Sequence, residues 1–195
     1  MALFTPNKGY KALDWQSNTK SRVTTAVSGK VQRIKTGAQH WSFKLQSPSM
    51  SRAEFMADYS FLVQLDGQVT SFTIIPPEIG SARGTASGTL TNDATVAAGQ
   101  SACQTDGGSG TLLKGDLIKF SNHDKVYMIT EDTNMDASSQ DFFNIYPPLT
   151  TAVTSSTTVT YDNVPVKVYF DKDEQKYITQ ADGTFKYEIV MNEEI

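Results

Sequence analysis

The chain has 195 residues, of which 38% are hydrophobic and 19% are charged, and its formal net charge is −4. This length accommodates one large domain or two small ones, and the composition excludes a disordered chain because it supplies enough apolar side chains for a core. A single cysteine excludes an intrachain disulfide and a multi-cysteine zinc site, so Cys103 is interpreted as a small residue without a chemical role.

Short β-strands are predicted along most of the chain. The clearest is residues 38–46, in which Trp41, Phe43 and Leu45 alternate with polar neighbours, the period of a half-buried strand. Residues 184–191 alternate in the same way after an Asp-Gly turn, which predicts a terminal hairpin. Further strands are predicted at residues 30–35, 69–75, 117–120, 126–130, 142–146, 157–161 and 164–170.

One helix is predicted to begin after Ser51. Ser51 and Glu54 form a capping-box pattern. In this pattern the Ser side chain accepts the backbone N–H of Glu54, and the Glu side chain accepts the backbone N–H of Ser51. The helical spacing of apolar residues predicts one stripe that packs on a sheet, and Gly67 is expected to end the helix. The stripe consists of Phe55, Tyr59 and Leu62, flanked by Met56 and Val63.

The amino-acid composition of the sequence changes between residues 76 and 163. Glycines, a polar stretch at residues 91–105 and a glycine-rich loop interrupt short strands there, which is typical of a small all-β module of about eighty residues. Neither flank alone contains enough strands to bury the helix stripe. We therefore expect the two flanks to form one domain into which the module is inserted.

No targeting segment or membrane anchor is predicted. The opening residues MALFTPNKGY lack a basic stretch followed by an apolar run, so we expect the chain to stay in the cytoplasm where it is made. The longest uncharged run, residues 142–161, contains a proline pair and eight Ser or Thr residues. These residues are too polar for a bilayer helix.

Charge is distributed unevenly along the chain. Residues 1–50 carry a net charge of +7, residues 51–170 carry −7 and residues 171–195 carry −4. The basic residues are spaced along strands without a compact run, which argues against a nucleic-acid surface. Opposite charges on two faces suit head-to-tail packing of identical copies, and ordinary solvated faces of uneven charge stay an open alternative.

The sequence offers few catalytic groups. Only His40 and His123 could serve as the base of a Ser-His-Asp or Cys-His site. His40 precedes Trp41 on a predicted strand, and His123 lies in the turn-like segment Ser-Asn-His-Asp-Lys, so both are interpreted as structural. No catalytic, cofactor-binding or metal-ligating residue is therefore assigned.

Three weaker patterns could bind a ligand but have simpler interpretations. Asp116, His123 and Asp124 could converge on a divalent cation through a hairpin, although turn and strand roles explain them more simply. Residues 106–110 are glycine-rich like a phosphate cradle, but the lack of a Lys-Ser/Thr end and of a following helix favours a flexible loop. Strand aromatics could form a platform for a sugar or base, although they usually belong to a core. The aromatics concerned are Tyr127, Phe142, Phe143 and Tyr146.

A long segment resembles a known family. Residues 110–130, GTLLKGDLIKFSNHDKVYMIT, are similar to the segment Lys-x-Gly-Asp-Leu-x-Lys-x-Ser-x-His-x-Lys-Val-Tyr-x-Ile-Thr of siphophage distal tail proteins of the T5-like group. The resemblance covers about residues 30–150, and it departs from the family at His40 and Asp124, where the family has Tyr and Pro. Shorter matching strings, in the same order, are Ala-Gln-x-Trp at 38–41, Tyr-x-Phe-Leu at 59–62, Ala-Gly-Gln at 98–100 and Tyr-Pro-x-Leu at 146–149.

The resemblance implies a mainly β protein with two domains. A β-sandwich-like, ring-forming domain with one helix would comprise residues 1–82 and 163–195, and an inserted OB-fold-like β-barrel would comprise residues 83–162. The implied function is that of a structural virion protein of the tail tip, assembled in the host cytoplasm, whose copies close into a hexameric ring that joins the tail tube to the baseplate. The implied partners are further copies of the chain, the tail tube protein and baseplate hub or tail fibre proteins, with DNA only as cargo passing through the lumen. Neither a cofactor nor an enzymatic activity is implied.

Two other function classes stay open. The inserted barrel could be a carbohydrate- or receptor-binding module that contacts the host surface, because barrels of this type bind sugars or single strands on one face. Glycan binding that disappears when residues 83–162 are removed would favour this function. A hydrolase would depend on His123, and an activity lost on replacing that residue would be needed to support it.

Overall fold

The computed structural model describes residues 2–136 and 141–195. The predicted fold class is confirmed: the chain is mainly β, with a β-sandwich-like part, one helix among the described residues and a closed OB-fold-like barrel. The elements in chain order are β1 (Leu3–Phe4), β2 (Ala12–Thr25), β3 (Val31–Gln46), α1 (Arg52–Val63), β4 (Phe72–Ile74), β5 (Leu90–Asn92), β6 (Ala102–Asp106), β7 (Gly110–Leu112), β8 (Leu117–Phe120), β9 (Val126–Ile129), β10 (Thr133–Met135), β11 (Asp141–Tyr146), β12 (Thr158–Thr160), β13 (Val166–Phe170), β14 (Tyr177–Thr179) and β15 (Phe185–Glu193).

A seven-stranded sheet is built from both ends of the chain. Its strands follow in the spatial order β1, β4, β13, β15, β3 and β2, and β14 also pairs with β15. The pairs are antiparallel except for β1, which lies parallel to β4. Because β1 to β4 come from the N-terminal flank and β13 to β15 from the C-terminal flank, the sheet requires both.

The helix begins where the capping box predicts. Ser51 is the N-cap: Glu54 N donates to Ser51 Oγ, and Ser51 N donates to the Glu54 carboxylate at 2.8 Å. The helix ends at Val63, before the glycine that was expected to stop it. Gly67 instead makes the following turn, with φ +64°, where an added Cβ would lie 2.7 Å from the Asp173 carboxylate.

The apolar stripe of α1 differs in part from its prediction. Phe55 and Leu62 are buried, as predicted. The prediction is wrong for Met56 and Val63, which are 41% and 49% exposed. Asp58 occupies a buried position on the helix instead, because a tyrosine hydroxyl and a backbone N–H both donate to its carboxylate.

Six strands close into the barrel in the order β11, β6, β5, β12, β8 and β9, while β7 and β10 form a two-stranded ribbon. The barrel has its own core, separate from the core beneath the sheet. Within the described ranges, no helix combines the length and the apolar run needed to cross a bilayer. The barrel core consists of Leu90, Cys103, Leu112, Ile118, Phe120, Tyr127, Ile129, Met135, Phe143, Ile145, Leu149, Val153 and Val159.

The chain enters and leaves the barrel at adjacent points. Val164 N, after the last barrel strand, donates to Gly80 O, before the first one, at 2.8 Å. The domain boundaries at 82/83 and 162/163 remain a prediction.

Two strand predictions need correction. Residues 30–35 and 38–46, predicted as separate strands, form the single strand β3, which runs through Gly37. β2 was not predicted, because its outer residues are polar or charged without alternation. The structure explains that pattern, since both faces of the outer half of β2 meet solvent and no core selects one face.

Candidate functional site

The outer part of the β2–β3 hairpin projects from the sheet. We call residues 19–36 the hairpin arm, and every one of them is exposed. The two strands pair with each other from Ser21–Lys35 to Thr25–Val31, and Gly29, with φ +81°, makes the turn at the tip. No described residue covers either face of the arm, so the sheet alone does not explain its length.

The hairpin arm is basic and carries exposed aliphatic side chains. It holds five Lys or Arg residues and no Asp or Glu, which gives a net charge of +5. Its aliphatic side chains are also left in water: Val23 is 59%, Val31 47% and Ile34 61% exposed, and Val27 at the tip is fully exposed. Exposed apolar groups framed by charge mark an interaction surface more often than a solvated face.

The barrel presents a second exposed surface near the base of the arm. We call the outward side chains of β6 and β11 the barrel face; they alternate with side chains of the barrel core. Tyr146 Oη lies 3.3 Å from Thr19 Oγ1, so this face begins where the arm leaves the sheet. The barrel face consists of Ala102, Gln104, Asp106, Phe142, Asn144 and Tyr146.

A buried ion pair joins the barrel to the sheet. Lys125, immediately before β9, binds Glu193, at the end of β15, and both side chains are inaccessible to solvent. Lys125 Nζ also donates to Gln39 Oε1 at 2.9 Å, and the Glu193 carboxylate accepts the backbone N–H groups of Trp41 and Val126 at 3.1 and 2.8 Å. Burial lowers the pKa of Lys125, and the Glu193 carboxylate opposes that shift.

Apolar packing reinforces this junction. Trp41 on β3 donates its indole N–H to Val126 O at 3.0 Å, and Lys125 Nζ lies 5.6 Å from the centre of the same ring. Leu117 and Val126 from the barrel belong to the core of the sheet rather than to that of the barrel. The barrel is therefore packed onto the sheet as a fixed part and does not hang from a linker.

Within the segment that resembles the family, residues 110–130, the matching residues Lys125 and Val126 lie at this junction, and two aspartates of the segment support it. Asp124, where the family has Pro, forms ion pairs with Lys119 in the barrel and with Lys167 in the sheet, at 2.9 and 3.3 Å. Asp116 accepts from the backbone N–H and the Nε of Arg83, at 3.2 Å each. The resemblance therefore reports mainly the way the barrel is built and attached.

The structure does not bring the weighed metal-site residues together. Asp116 precedes β8 and is held by Arg83, whereas His123 and Asp124 lie in the turn at the other end of the β8–β9 hairpin. His40 pairs with Asn18 across the β2–β3 ladder. Among residues 2–136 and 141–195, no three His, Cys, Asp or Glu side chains are grouped as a metal site would require.

The structure places the glycine-rich loop and the four strand aromatics. The loop is hydrogen-bonded to the segment before β5, because Ser87 and Ser109 exchange both backbone hydrogen bonds at 2.9 Å. Tyr127 and Phe143 are buried in the barrel core, whereas Phe142 is 65% and Tyr146 39% exposed. Two of the four aromatics thus contribute to the barrel face.

His123 is hydrogen-bonded inside the barrel wall. Its Nε2 lies 2.8 Å from Tyr127 Oη, which in turn accepts the Thr150 N–H at 3.1 Å, and its Nδ1 lies 2.7 Å from Asn122 Oδ1. Burial lowers the pKa of His123, and the positive charge of Lys119 adds to this. The imidazole is engaged by neighbours on both nitrogens.

Acidification is expected to destabilise the barrel through His123. Because the pKa is below 6.5 in the folded chain, the unfolded chain takes up the proton first as the pH falls. The free energy of unfolding should therefore decrease from pH 6.5 down to the folded pKa and then level off. Urea unfolding between neutral pH and about pH 5 measures this. His123→Gln, which can still bond to Tyr127, should flatten the slope; an unchanged slope in that variant would contradict the prediction.

Sequence reasoning missed two features of the candidate site. The hairpin arm was visible only as an excess of basic residues in the first fifty positions, because its strands have no buried face. Glu193 gave no signal, since its partner Lys125 lies 68 positions away and a chain-end acid usually meets solvent.

The chain was compared with known proteins. Residues 85–164 match the family described as "Distal tail protein pb9, B domain". The chain is 28% identical over 158 residues to "Distal tail protein pb9" of Escherichia phage T5, an alignment that covers 77% of this chain and 74% of that relative. The chain is thus similar to the distal tail protein of phage T5, in agreement with the resemblance found in its sequence.

Proposed function

We propose that this chain is a structural protein of a phage tail, and that six copies close into a ring at the distal end of the tail tube. The hairpin arm is the observation that carries the proposal. A monomer gains nothing from a long ribbon with aliphatic side chains exposed on it, whereas a neighbouring copy would cover them. The similarity to a distal tail protein supplies the tail context.

Charge supports association of identical copies. The arm carries +5, while the chain as a whole carries −4, so the rest of the molecule is strongly acidic. Complementary potentials steer encounter and fix orientation, and a head-to-tail contact between different surfaces of identical copies generates rings when the rotation closes.

The proposed ring has neighbours along the tail axis. On one side we place the tail tube protein, and on the other the baseplate hub or tail fibre proteins, with DNA passing only through the lumen. The ring would assemble in the host cytoplasm and remain in the virion at the tail tip. This function depends on surfaces and on a rigid protomer, and requires no catalytic step.

Shortening the arm is expected to abolish ring formation without unfolding the chain. Replacing residues 21–35 with an Asn-Gly turn removes only exposed residues, so the free energy of unfolding should change by no more than about 0.5 kcal/mol. Rings, scored by electron microscopy of particles complemented with this variant, should be lost.

A matched control isolates the arm. Lys176→Met breaks the exposed ion pair with Glu174, whose side chains are 74% and 64% exposed, and should leave assembly intact. Normal tails from the arm-shortened variant would refute the ring proposal.

A carbohydrate- or receptor-binding role of the barrel is the second candidate. The exposed Phe142 favours it, because an aromatic ring left on a barrel surface can stack on a sugar. Glycan-array binding by the intact chain that Phe142→Ala removes would support this role. Equal glycan signals from both chains would argue against it.

A further inference from the structure

We propose that the hairpin arm of one copy docks on the barrel face of the next copy. The inference rests on the proposed ring and names the surface that receives the arm. Each copy would then donate one arm and receive another, so that the contact is head-to-tail and every protomer is used in the same way.

The charge of the arm is complementary to that of the barrel as a whole, and two carboxylates bring this charge to the barrel face. Residues 83–162 contain four basic and nine acidic residues, a net charge of −5 against +5 for the arm. Asp106 lies on the barrel face, and Glu131 lies beside it, held by a 3.0 Å hydrogen bond from Asn144. Asp106 accepts the N–H of Gly107 at 2.8 Å. Both carboxylates are exposed and bonded to neutral groups, so their charge is available to a basic partner.

Apolar side chains are left uncovered on both surfaces. Phe142 and Tyr146 on the barrel face are 65% and 39% exposed. On the arm, Val23 is 59% and Val31 47% exposed, and both lie on the face of the ribbon that carries Arg33 and Lys35. Docking would bury aromatic rings against aliphatic side chains at the centre and leave the charges around them, the usual composition of a specific interface.

The arm is long enough to reach a neighbour. The seven residues of β2 from Thr19 to Thr25, at roughly 3.3 Å each, project the arm about 23 Å beyond its base. The contact between Tyr146 and Thr19 places the barrel face beside the base of the arm of the same copy. Since residues 20–36 are all exposed, the arm beyond Thr19 does not fold back on its own barrel.

A groove elsewhere on the sheet is a less suitable acceptor. This groove, of about 590 Å³, lies between β13 and β14, and Ile178 on its wall is 65% exposed. Its lining includes more lysines than carboxylates, so it offers the basic arm no net negative charge. The lysines are Lys11, Lys172, Lys176 and Lys186, and the carboxylates belong to Asp171, Glu174 and Glu188.

Site-directed cross-linking tests the docking surface. The native Cys103 is buried and burial raises the pKa of its thiol to about 12, so it does not compete with introduced cysteines. The full chain carrying Val23→Cys and Ala102→Cys should give a ladder of cross-linked oligomers with a short bis-maleimide, because Val23 shares the face of Arg33 and Lys35. Val23→Cys with Ile178→Cys should not. Mixing single-cysteine chains, Val23→Cys with Ala102→Cys, should stop at dimers.

Charge reversal provides the second readout. Arg33→Glu with Lys35→Glu on the arm should lower the cross-linking yield by roughly tenfold or more, because like charges would then face each other. Asp106→Lys with Glu131→Lys on the receiving copy should restore much of it. These four positions are exposed, so the variants are expected to fold.

The outcomes separate this inference from the proposed ring. Cross-linking through Ile178→Cys in place of Ala102→Cys would overturn the docking surface and leave the ring standing. Duplex DNA that competes the cross-link away at physiological salt would assign the arm to nucleic acid and also overturn the inference. Failure of the proposed ring would give a different result, because the variant with the shortened arm would then build normal tails.

Discussion

Lys125→Met is expected to destabilise the protein by about 3–5 kcal/mol, because it leaves the Glu193 carboxylate buried without its partner. The carboxylate would keep its two backbone N–H donors but lose the only ammonium group bonded to it among the described residues. Urea unfolding at neutral pH measures the loss.

Two companion variants test the cause. Lys125→Met combined with Glu193→Gln should recover part of the lost stability, since a neutral amide still accepts a backbone hydrogen bond and carries no charge. Lys176→Met, which breaks an exposed pair, should cost no more than about 1 kcal/mol. A double variant less stable than Lys125→Met alone would show that the unpaired charge is not the cause.

Trp41→Ala is expected to cost about 3–5 kcal/mol and to loosen the barrel from the sheet. The indole is 3% exposed, lies 5.0 Å from the Trp15 ring and bonds to Val126 O across the junction. Removing it opens a cavity where Leu117 and Val126 of the barrel enter the core of the sheet. The sheet and the barrel should then unfold at different urea concentrations.

Two spectroscopic probes distinguish these transitions. Fluorescence of the remaining Trp15 reports on the sheet, and near-ultraviolet circular dichroism includes the buried Tyr127 and Phe143 of the barrel. Trp41→Phe keeps an aromatic ring and should lose only about 1 kcal/mol for the missing hydrogen bond. A single transition in Trp41→Ala at the wild-type midpoint would contradict the prediction.

Elements with one buried face could be predicted from the sequence. The alternation around Trp41 and Phe43, the capping box at Ser51 and the stretch from Leu117 to Ile129 each encode local structure together with burial, and the structure confirms them. The prediction that Met56 and Val63 flank a buried stripe was wrong because the sequence does not show how far a sheet extends over a helix.

The candidate site was less predictable for a physical reason. In the proposed ring, the residues of the arm contact another copy and not the core of their own chain. Their sequence therefore lacks the periodicity that a core would impose. The junction depends on a pair of charges far apart in sequence, Lys125 and Glu193, and such pairing appears only once the sheet and the barrel are placed together. Charge segregation was the one sequence signal that pointed towards the arm.

The adjacent entry and exit of the barrel have a consequence for its evolution. The hydrogen bond between Val164 and Gly80 holds the entry and exit of the chain side by side. One barrel could therefore be exchanged for another by recombination at this point. Glu193 restricts such exchange. If the incoming barrel had no lysine at the position of Lys125, the Glu193 carboxylate of the recipient would be buried without a cationic partner. Successful transfers between tail genes should therefore carry both partners or replace the acid in the same event.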